Sequence, residues 1–235
     1  KEKDKDDRVF RFGPGVDKSV NGYVICDEGR LSYKNESENR FETPLLNKIE
    51  TSLNTIIANL FKDLTTNKNI LFVLSANLSY EEMLNIKNLA SKLNAKVSGY
   101  SPNTFDESFE DDYLRTSDKT ANRTSFKELE IDETKEYFET NLNNSSLVII
   151  VENNYFDNNQ KLLENKKVIS FFSHKNSTIE YSNIAIPVAS FYEKSGTYIN
   201  RNGIKQKIIS KMNKNNPMQT ITTIIEHLKS MIEKG

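Results

Sequence analysis

A single cysteine in 235 residues excludes an internal disulfide framework and fits a reducing compartment. Only two histidines are present, His174 and His227, and neither has a cysteine, histidine or carboxylate at metal-ligand spacing, so no zinc-type cluster can be read. Glycine is also scarce. The buried run ILFVLS (Ile70 to Ser75) passes straight into ANLSYEE, with no glycine where a dinucleotide fold places its phosphate turn, so a phosphate cradle is not expected. No apolar run approaches the roughly 18 residues of a membrane helix, and the charged start KEKDKDDR does not read as a signal peptide, so direct membrane insertion is not expected. Charge of one sign is missing too: 32 basic residues stand against 33 acidic ones, and no overall field draws the chain to nucleic acid.

What is present is enough apolar and aromatic content for one large core. Val9 to Phe12 and Gly22 to Ile25 read as two short strands around the turn-rich GPGVDKSVN, a small N-terminal β lobe. From Pro44 the pattern turns helical, with Leu45, Ile49, Leu53, Ile56, Ile57, Leu60, Phe61 and Leu64 on one stripe. ILFVLS has strand length. Ser79 with Glu82 predicts a capping box that opens a helix through Leu84, Leu89 and Leu93, and a strand follows at Ala95 to Ser98. Residues 99–131 are polar and without sustained period, a long surface excursion.

A second unit follows: a helix over Glu133 to Leu142, the strand SLVIIV (Ser146 to Val151), a short helix over Phe156 to Leu163, and the strand KVISFF (Lys167 to Phe172). Ile184 to Ala189 is a further strand whose Pro187 suits an edge or a strand end. TYINRNGIKQKI carries a hairpin signal at Asn202-Gly203, and a last helix from Pro217 buries Met218, Ile221, Ile224, Ile225, Leu228 and Ile232. Fully apolar strands alternating with helices predict a three-layer α/β sandwich with a mostly parallel sheet, plus the small N-terminal β lobe.

Candidates for chemistry are few. His227 lies beside the apolar stripe of the last helix and reads as a surface histidine; His174, just past KVISFF, stands where α/β folds put functional loops but reads first as structural. The acid pairs Glu81-Glu82 and Asp111-Asp112 fit solvated faces, and no hydrolase triad can be assembled. Cys26 reads, taken alone, as a small buried hydrophobe at the end of a strand.

Two stretches add to that reading. In DRVFRFGPGVDKSVNGYVICDEGR, the residues Val20, Asn21, Cys26, Gly29 and Arg30 form the phrase V-N-x-x-x-x-C-x-x-G-R. In HKNSTIEYSNIAIPVASFYEKSGTYINRNGIKQ, the residues Ile184, Pro187, Glu193, Gly196, Thr197, Asn200, Gly203 and Gln206 keep a second fixed spacing. Gly196 and Gly203 read as positive-φ or close-packing positions, and Asn200 and Gln206 as side chains that tie loop backbone together. Both stretches resemble the molybdopterin oxidoreductase superfamily, and within it the large iron-sulfur subunit of NADH-quinone oxidoreductase (respiratory complex I).

The resemblance implies a partial iron-sulfur lobe over residues 1–43 and a degenerate molybdopterin-oxidoreductase-like α/β domain over residues 44–235. Cys26 would be the fourth ligand of a [4Fe-4S] cluster only if cysteines upstream of Lys1 supply the others; none is expected for this chain alone, since each iron needs its own ligand. With one cysteine, few glycines and too short a chain, no molybdopterin is expected. The role implied is a structural, non-catalytic part of an electron-transfer complex carrying electrons from NADH to quinone. Its partners would be the flavin-bearing NADH-oxidising subunit and the iron-sulfur subunits of the peripheral arm, on the cytoplasmic side of a bacterial inner membrane. Two alternatives stay open: a fragment of a molybdopterin-dependent oxidoreductase such as formate dehydrogenase, and a non-redox binding module with the same fold.

Overall fold

The computed structural model describes residues 9–210 and 218–234. Two one-turn helices, α1 (Asp27–Leu31) and α2 (Tyr33–Ser37), lead into a hairpin of β1 (Leu45–Leu46) and β2 (Ile49–Glu50), then α3 (Leu53–Thr66) and β3 (Ile70–Leu74). Helix α4 (Tyr80–Lys92) and β4 (Lys96–Ser98) complete the first strand-helix-strand unit. After α5 (Thr124–Glu128) and α6 (Lys135–Asn144), the chain builds β5 (Leu147–Val151), β6 (Lys167–Phe172), α7 (Ser177–Tyr181) and β7 (Ile184–Pro187). A separate hairpin of β8 (Gly196–Ile199) and β9 (Lys205–Ile208) precedes α8 (Ile221–Lys234).

Seven strands form one sheet in the order β2-β1-β7-β6-β5-β3-β4. The five strands β4, β3, β5, β6 and β7 run parallel, and the β1–β2 hairpin adds an antiparallel edge beside β7. Pro187 falls at the end of its strand, as its missing N–H requires. Alternation divides the core into two layers. Ile70, Phe72 and Leu74 face α3, α4 and α8, while Leu71 and Val73 pack with Phe138, Leu142 and Phe156 on the other face. The α/β sandwich expected from the sequence is the observed architecture.

Several elements differ from expectation. Among residues 9–26 there is no strand, only an isolated bridge between Asp17 and Gly22. The Asp17 carboxylate accepts from the Ser19 N–H and hydroxyl, and the Asp17 carbonyl accepts from Val20, Asn21 and Gly22, which closes this segment into a local turn. Val16, Tyr23 and Val24 remain exposed while Phe12 packs its ring on Phe191 with centroids 5.4 Å apart, so the apolar spacing that suggested a β lobe serves a surface segment without strands. The helix expected from Pro44 begins at Leu53, where the Ser52 hydroxyl accepts from the Thr55 N–H at 3.2 Å. Asn47 and Lys48 take left-handed φ of 48° and 69°, a two-residue hairpin turn that diverts Leu45 and Ile49 from the helical stripe into strands. The short helix expected over Phe156 to Leu163 is two 3-10 turns, Asn154–Asn158 and Gln160–Leu163, and the expected helix start at Pro217 lies outside the described residues.

The capping box is present as read: the Ser79 hydroxyl accepts from the Glu82 N–H while Glu82 Oε2 accepts from the Ser79 N–H at 2.9 Å. It fixes the start of α4 against the β8–β9 hairpin. A Cβ at position 196 would stand inside the van der Waals shell of Ser79 Cβ and 2.9 Å from its Oγ, whereas Gly203 meets open space but holds φ +78°. Gly196→Ala must therefore displace the start of α4, an overpacking cost of about 1–3 kcal/mol, whereas Gly203→Ala bears only the local left-handed cost of about 1–2 kcal/mol. In urea unfolding the 196 variant is expected to lose more stability than the 203 variant; the reverse order would contradict the close-packing role of Gly196.

Candidate functional site

In chain order the five parallel strands run β3, β4, β5, β6, β7, and in the sheet β4 and β5 flank β3 on opposite sides. The chain thus leaves β3 in one direction and returns on the other, which makes the β3–β5 boundary the switch point where α/β sheets open a crevice at the carboxyl ends of their strands. A cleft of about 730 Å³ lies at that edge. Asn77 follows β3, Glu152 follows β5, Ser173 and His174 follow β6, and Ser190, Phe191 and Lys194 follow β7. Helix α2 closes the rim with Glu36, and the β8–β9 hairpin contributes Tyr198 and Gln206. Another depression, of about 500 Å³ beside the β1–β2 turn and residues 180–183, is polar and lies away from these strand ends.

The wall of the cleft is a buried ion pair. Lys194 donates to both carboxylate oxygens of Glu82 at 2.8 Å, with its side chain 6% exposed and that of Glu82 2% exposed. The neighbouring Glu81 accepts from the Thr197 N–H at 2.7 Å and from its hydroxyl at 2.6 Å. At the rim, Arg40 donates to Glu193 at 2.5 Å, and Glu193 also accepts from the Ser190 N–H at 2.8 Å. Asn122 carries the rest of the hairpin: it donates to the Leu78 carbonyl at 2.7 Å and accepts from the Ile199 N–H at 2.6 Å.

Glu152 stands at φ +52°, a left-handed conformation that a glutamate adopts at a cost. Its Oε1 accepts from the Ser173 N–H at 2.7 Å, which holds the carboxyl inward. Burial raises its pKa, and the attraction of Lys194 only partly offsets this. Glu36 is pushed up to about 7, chiefly by burial and further by the charges of Glu152 and Glu193, against the lowering pull of Arg40. Burial, then the Arg40 charge, lowers His174, whose Nδ1 meets the Ser173 hydroxyl at 2.9 Å. Tyr198 is raised by burial and by the carboxylates of Glu82, Glu152 and Glu81.

Several polar atoms here lack a hydrogen-bond partner. Among the described residues, five buried side-chain oxygens or nitrogens are unsatisfied, and four of them belong to this cluster: Glu36 Oε2, Arg40 Nη1, Ser190 Oγ and the Tyr198 hydroxyl. The Ser190 hydroxyl faces Glu36 and Tyr192 but reaches neither with hydrogen-bond geometry. Buried groups left in this state cost about 1–3 kcal/mol each, so such a concentration on one cleft points to a molecule that completes it.

Of the residues singled out in the sequence, His174 lies in the cleft and His227 lies far from it on α8, lining a shallow depression with α3. Glu82 is buried in an ion pair rather than solvated. Cys26 is a half-buried free thiol at the start of α1, where its sulfur accepts from the Gly29 N–H at 3.4 Å. The C-x-x-G spacing is thus also a helix cap. Among the described residues no group of three or more His, Cys, Asp or Glu side chains is placed to hold a metal ion, and no helix is long and apolar enough to cross a membrane.

No protein-family model matches the chain, and no curated protein matches it. A solved structure to which the chain is similar is a chain of the formyltransferase/hydrolase complex (FhcABCD) from Methylorubrum extorquens in complex with methylofuran, at TM-score 0.45 and 8% identity, over 82% of this chain and 99% of that one. The identification with the large iron-sulfur subunit of NADH-quinone oxidoreductase and the molybdopterin oxidoreductase superfamily is corrected here: neither the family models nor the curated proteins support it. The redox terms that came with the resemblance, iron-sulfur, NADH dehydrogenase, quinone and respiratory chain among them, fall with it. The physical reason lies in the matched residues: Glu193, Gly196, Thr197, Asn200 and Gly203 all build the fold. Such residues report on architecture, not on electron transfer.

The electrostatics give the site a pH signature. Glu36 holds its proton to about pH 7 in the folded state, above its unfolded value of 4.5, and Glu152 is raised in the same sense. Between those values the folded chain binds more protons than the unfolded one, so stability falls as pH rises from 4.5 through 7. His174 acts oppositely below 6.5, where the unfolded chain is the better proton binder. Glu36→Gln is expected to flatten the fall in urea midpoint between pH 5 and 8; an unchanged slope would remove Glu36 as its source.

Proposed function

We propose that this chain is a binding module for a small molecule, held in the cleft at the carboxyl ends of β3, β5, β6 and β7. The observation that carries this reading is the Tyr198 hydroxyl, buried, unpartnered and on the cleft wall together with Glu36 Oε2 and Ser190 Oγ. The cleft has the volume of a small-molecule site, about 300–1,000 Å³, and stands where open α/β sheets receive ligands. Its wall is anchored from three elements, by Lys194 on Glu82, Thr197 on Glu81 and Arg40 on Glu193, so the polar groups are held in place before any ligand arrives. The strained Glu152 backbone belongs to the same floor.

Two-dimensional NMR of the isotopically labelled chain against mixtures of amines, amino acids, carboxylic acids, sugars and nucleotides tests the reading. Shifts are expected to concentrate on the backbone amides of residues 77, 152, 173, 174, 191 and 194, and Tyr198→Phe is expected to weaken the binding about five- to ten-fold, the value of roughly one hydrogen bond. Binding that perturbs only residues elsewhere, or no perturbation by any mixture, would contradict it.

A further inference from the structure

The charges around the cleft are out of balance. Four carboxyl groups, Glu36, Glu82, Glu152 and Glu193, converge on it from α2, α4, the end of β5 and the segment after β7, and influence one another's ionisation. They face two cations, the buried Lys194 and the half-buried Arg40, each bonded to one carboxylate, Glu82 and Glu193. The other cations are engaged or distant: Lys119 lies 3.5 Å from Glu28 and 3.6 Å from Asp106, and Lys207 adds its field to Glu81. His174 Nε2 stands 3.9 Å from Glu36 Oε2, but burial disfavours its charged form. Glu36 and Glu152 therefore remain without a full counter-charge. Tyr192 and Tyr198 complete the groups facing them, and both are held protonated. Phe191 gives the same cleft an apolar and aromatic wall.

We propose that the molecule taken by the cleft is a small organic cation, a primary amine or guanidinium compound, with its charge on the Glu36 and Glu152 carboxylates and its alkyl part against Phe191. This rests on the reading of the cleft as a ligand site and narrows it to one chemical class. An ammonium or guanidinium donates several N–H groups, which Glu36 Oε2 and the Tyr198 oxygen accept. It also displaces the proton that Glu36 otherwise retains, so affinity rises with pH. With a folded value of about 7, releasing that proton costs a factor of roughly ten between pH 8 and pH 6.

Titration calorimetry of the full chain with agmatine and cadaverine, against glutarate as an anion of similar length, tests the proposal. Both amines are expected to bind and glutarate not, with affinity for the amines rising about ten-fold from pH 6 to pH 8. Glu36→Gln and Glu152→Gln are each expected to weaken agmatine binding at least ten-fold, and Glu36→Gln to reduce the pH dependence, whereas the exposed Glu139→Gln leaves both unchanged. The wild-type pH profile needs no variant to fold. Glutarate binding in the cleft in place of the amines would overturn the cation class and leave the ligand site standing. Amine binding insensitive to both Glu36→Gln and Glu152→Gln would place the cation elsewhere and overturn the proposal. If neither amine binds, the class falls, and the ligand site falls with it only if the broader NMR screen also leaves the cleft amides unmoved.

Discussion

The carboxylate of Glu82 is the point on which the cleft is built. It completes the N-terminal cap of α4 by accepting from the Ser79 N–H, and it receives Lys194 on both oxygens, so one buried group fixes both the helix that follows β3 and the segment that follows β7. A helix start is already favourable ground for a negative charge, because its free N–H groups and dipole stabilise it. Burying that charge would still be costly without Lys194. The contact therefore acts over 112 residues of sequence separation to join two loops at one edge of the sheet. Gly196 against Ser79, and Thr197 on Glu81, repeat the attachment one step further along the chain.

The sheet topology decides where that attachment matters. Because β4 and β5 lie on opposite sides of β3, the connections that leave the neighbouring strands β3 and β5 turn to opposite faces of the sheet and leave a gap rather than a continuous layer. Side chains from four strand ends, from α2 and from the β8–β9 hairpin fill the walls of this gap, and their charges do not cancel within it. Cleft and charge imbalance are consequences of one arrangement: capping and pairing consume Glu82, Glu81 and Glu193, and leave Glu36 and Glu152 facing the opening.

Much of the fold is legible in the sequence because it rests on local signals. ILFVL, LVIIV and KVISFF are apolar throughout and sit as central parallel strands, and Ser79 with Glu82 announces the cap of α4. Asn202-Gly203 marks the hairpin turn, where the Asn200 side chain accepts from the N–H groups of Asn202 and Ile204. The failures also have local causes. Leu45 and Ile49 share a spacing that suits a helix as well as a hairpin, and the positive φ of Asn47 and Lys48 decides between them. The site is far less legible. His174 is visible at a strand end, but Glu36, Glu152, Lys194 and Tyr198 carry no motif, and only the sheet order brings them together. Glu82 reads as solvated in the sequence because nothing near it names Lys194. Cys26 is conspicuous for its rarity, whereas in the fold it caps a short helix.

The claim that the Glu82–Lys194 pair organises this end of the molecule is tested most directly by a double-mutant cycle in urea unfolding, with Glu82→Gln, Lys194→Met and the two combined. Each single change leaves a buried charge without its partner and is predicted to cost about 3–5 kcal/mol. The combined variant is predicted to lose less than the two singles together, by about 1–3 kcal/mol. Strictly additive losses would contradict the account, because they would mean that the two side chains stabilise the fold independently of each other.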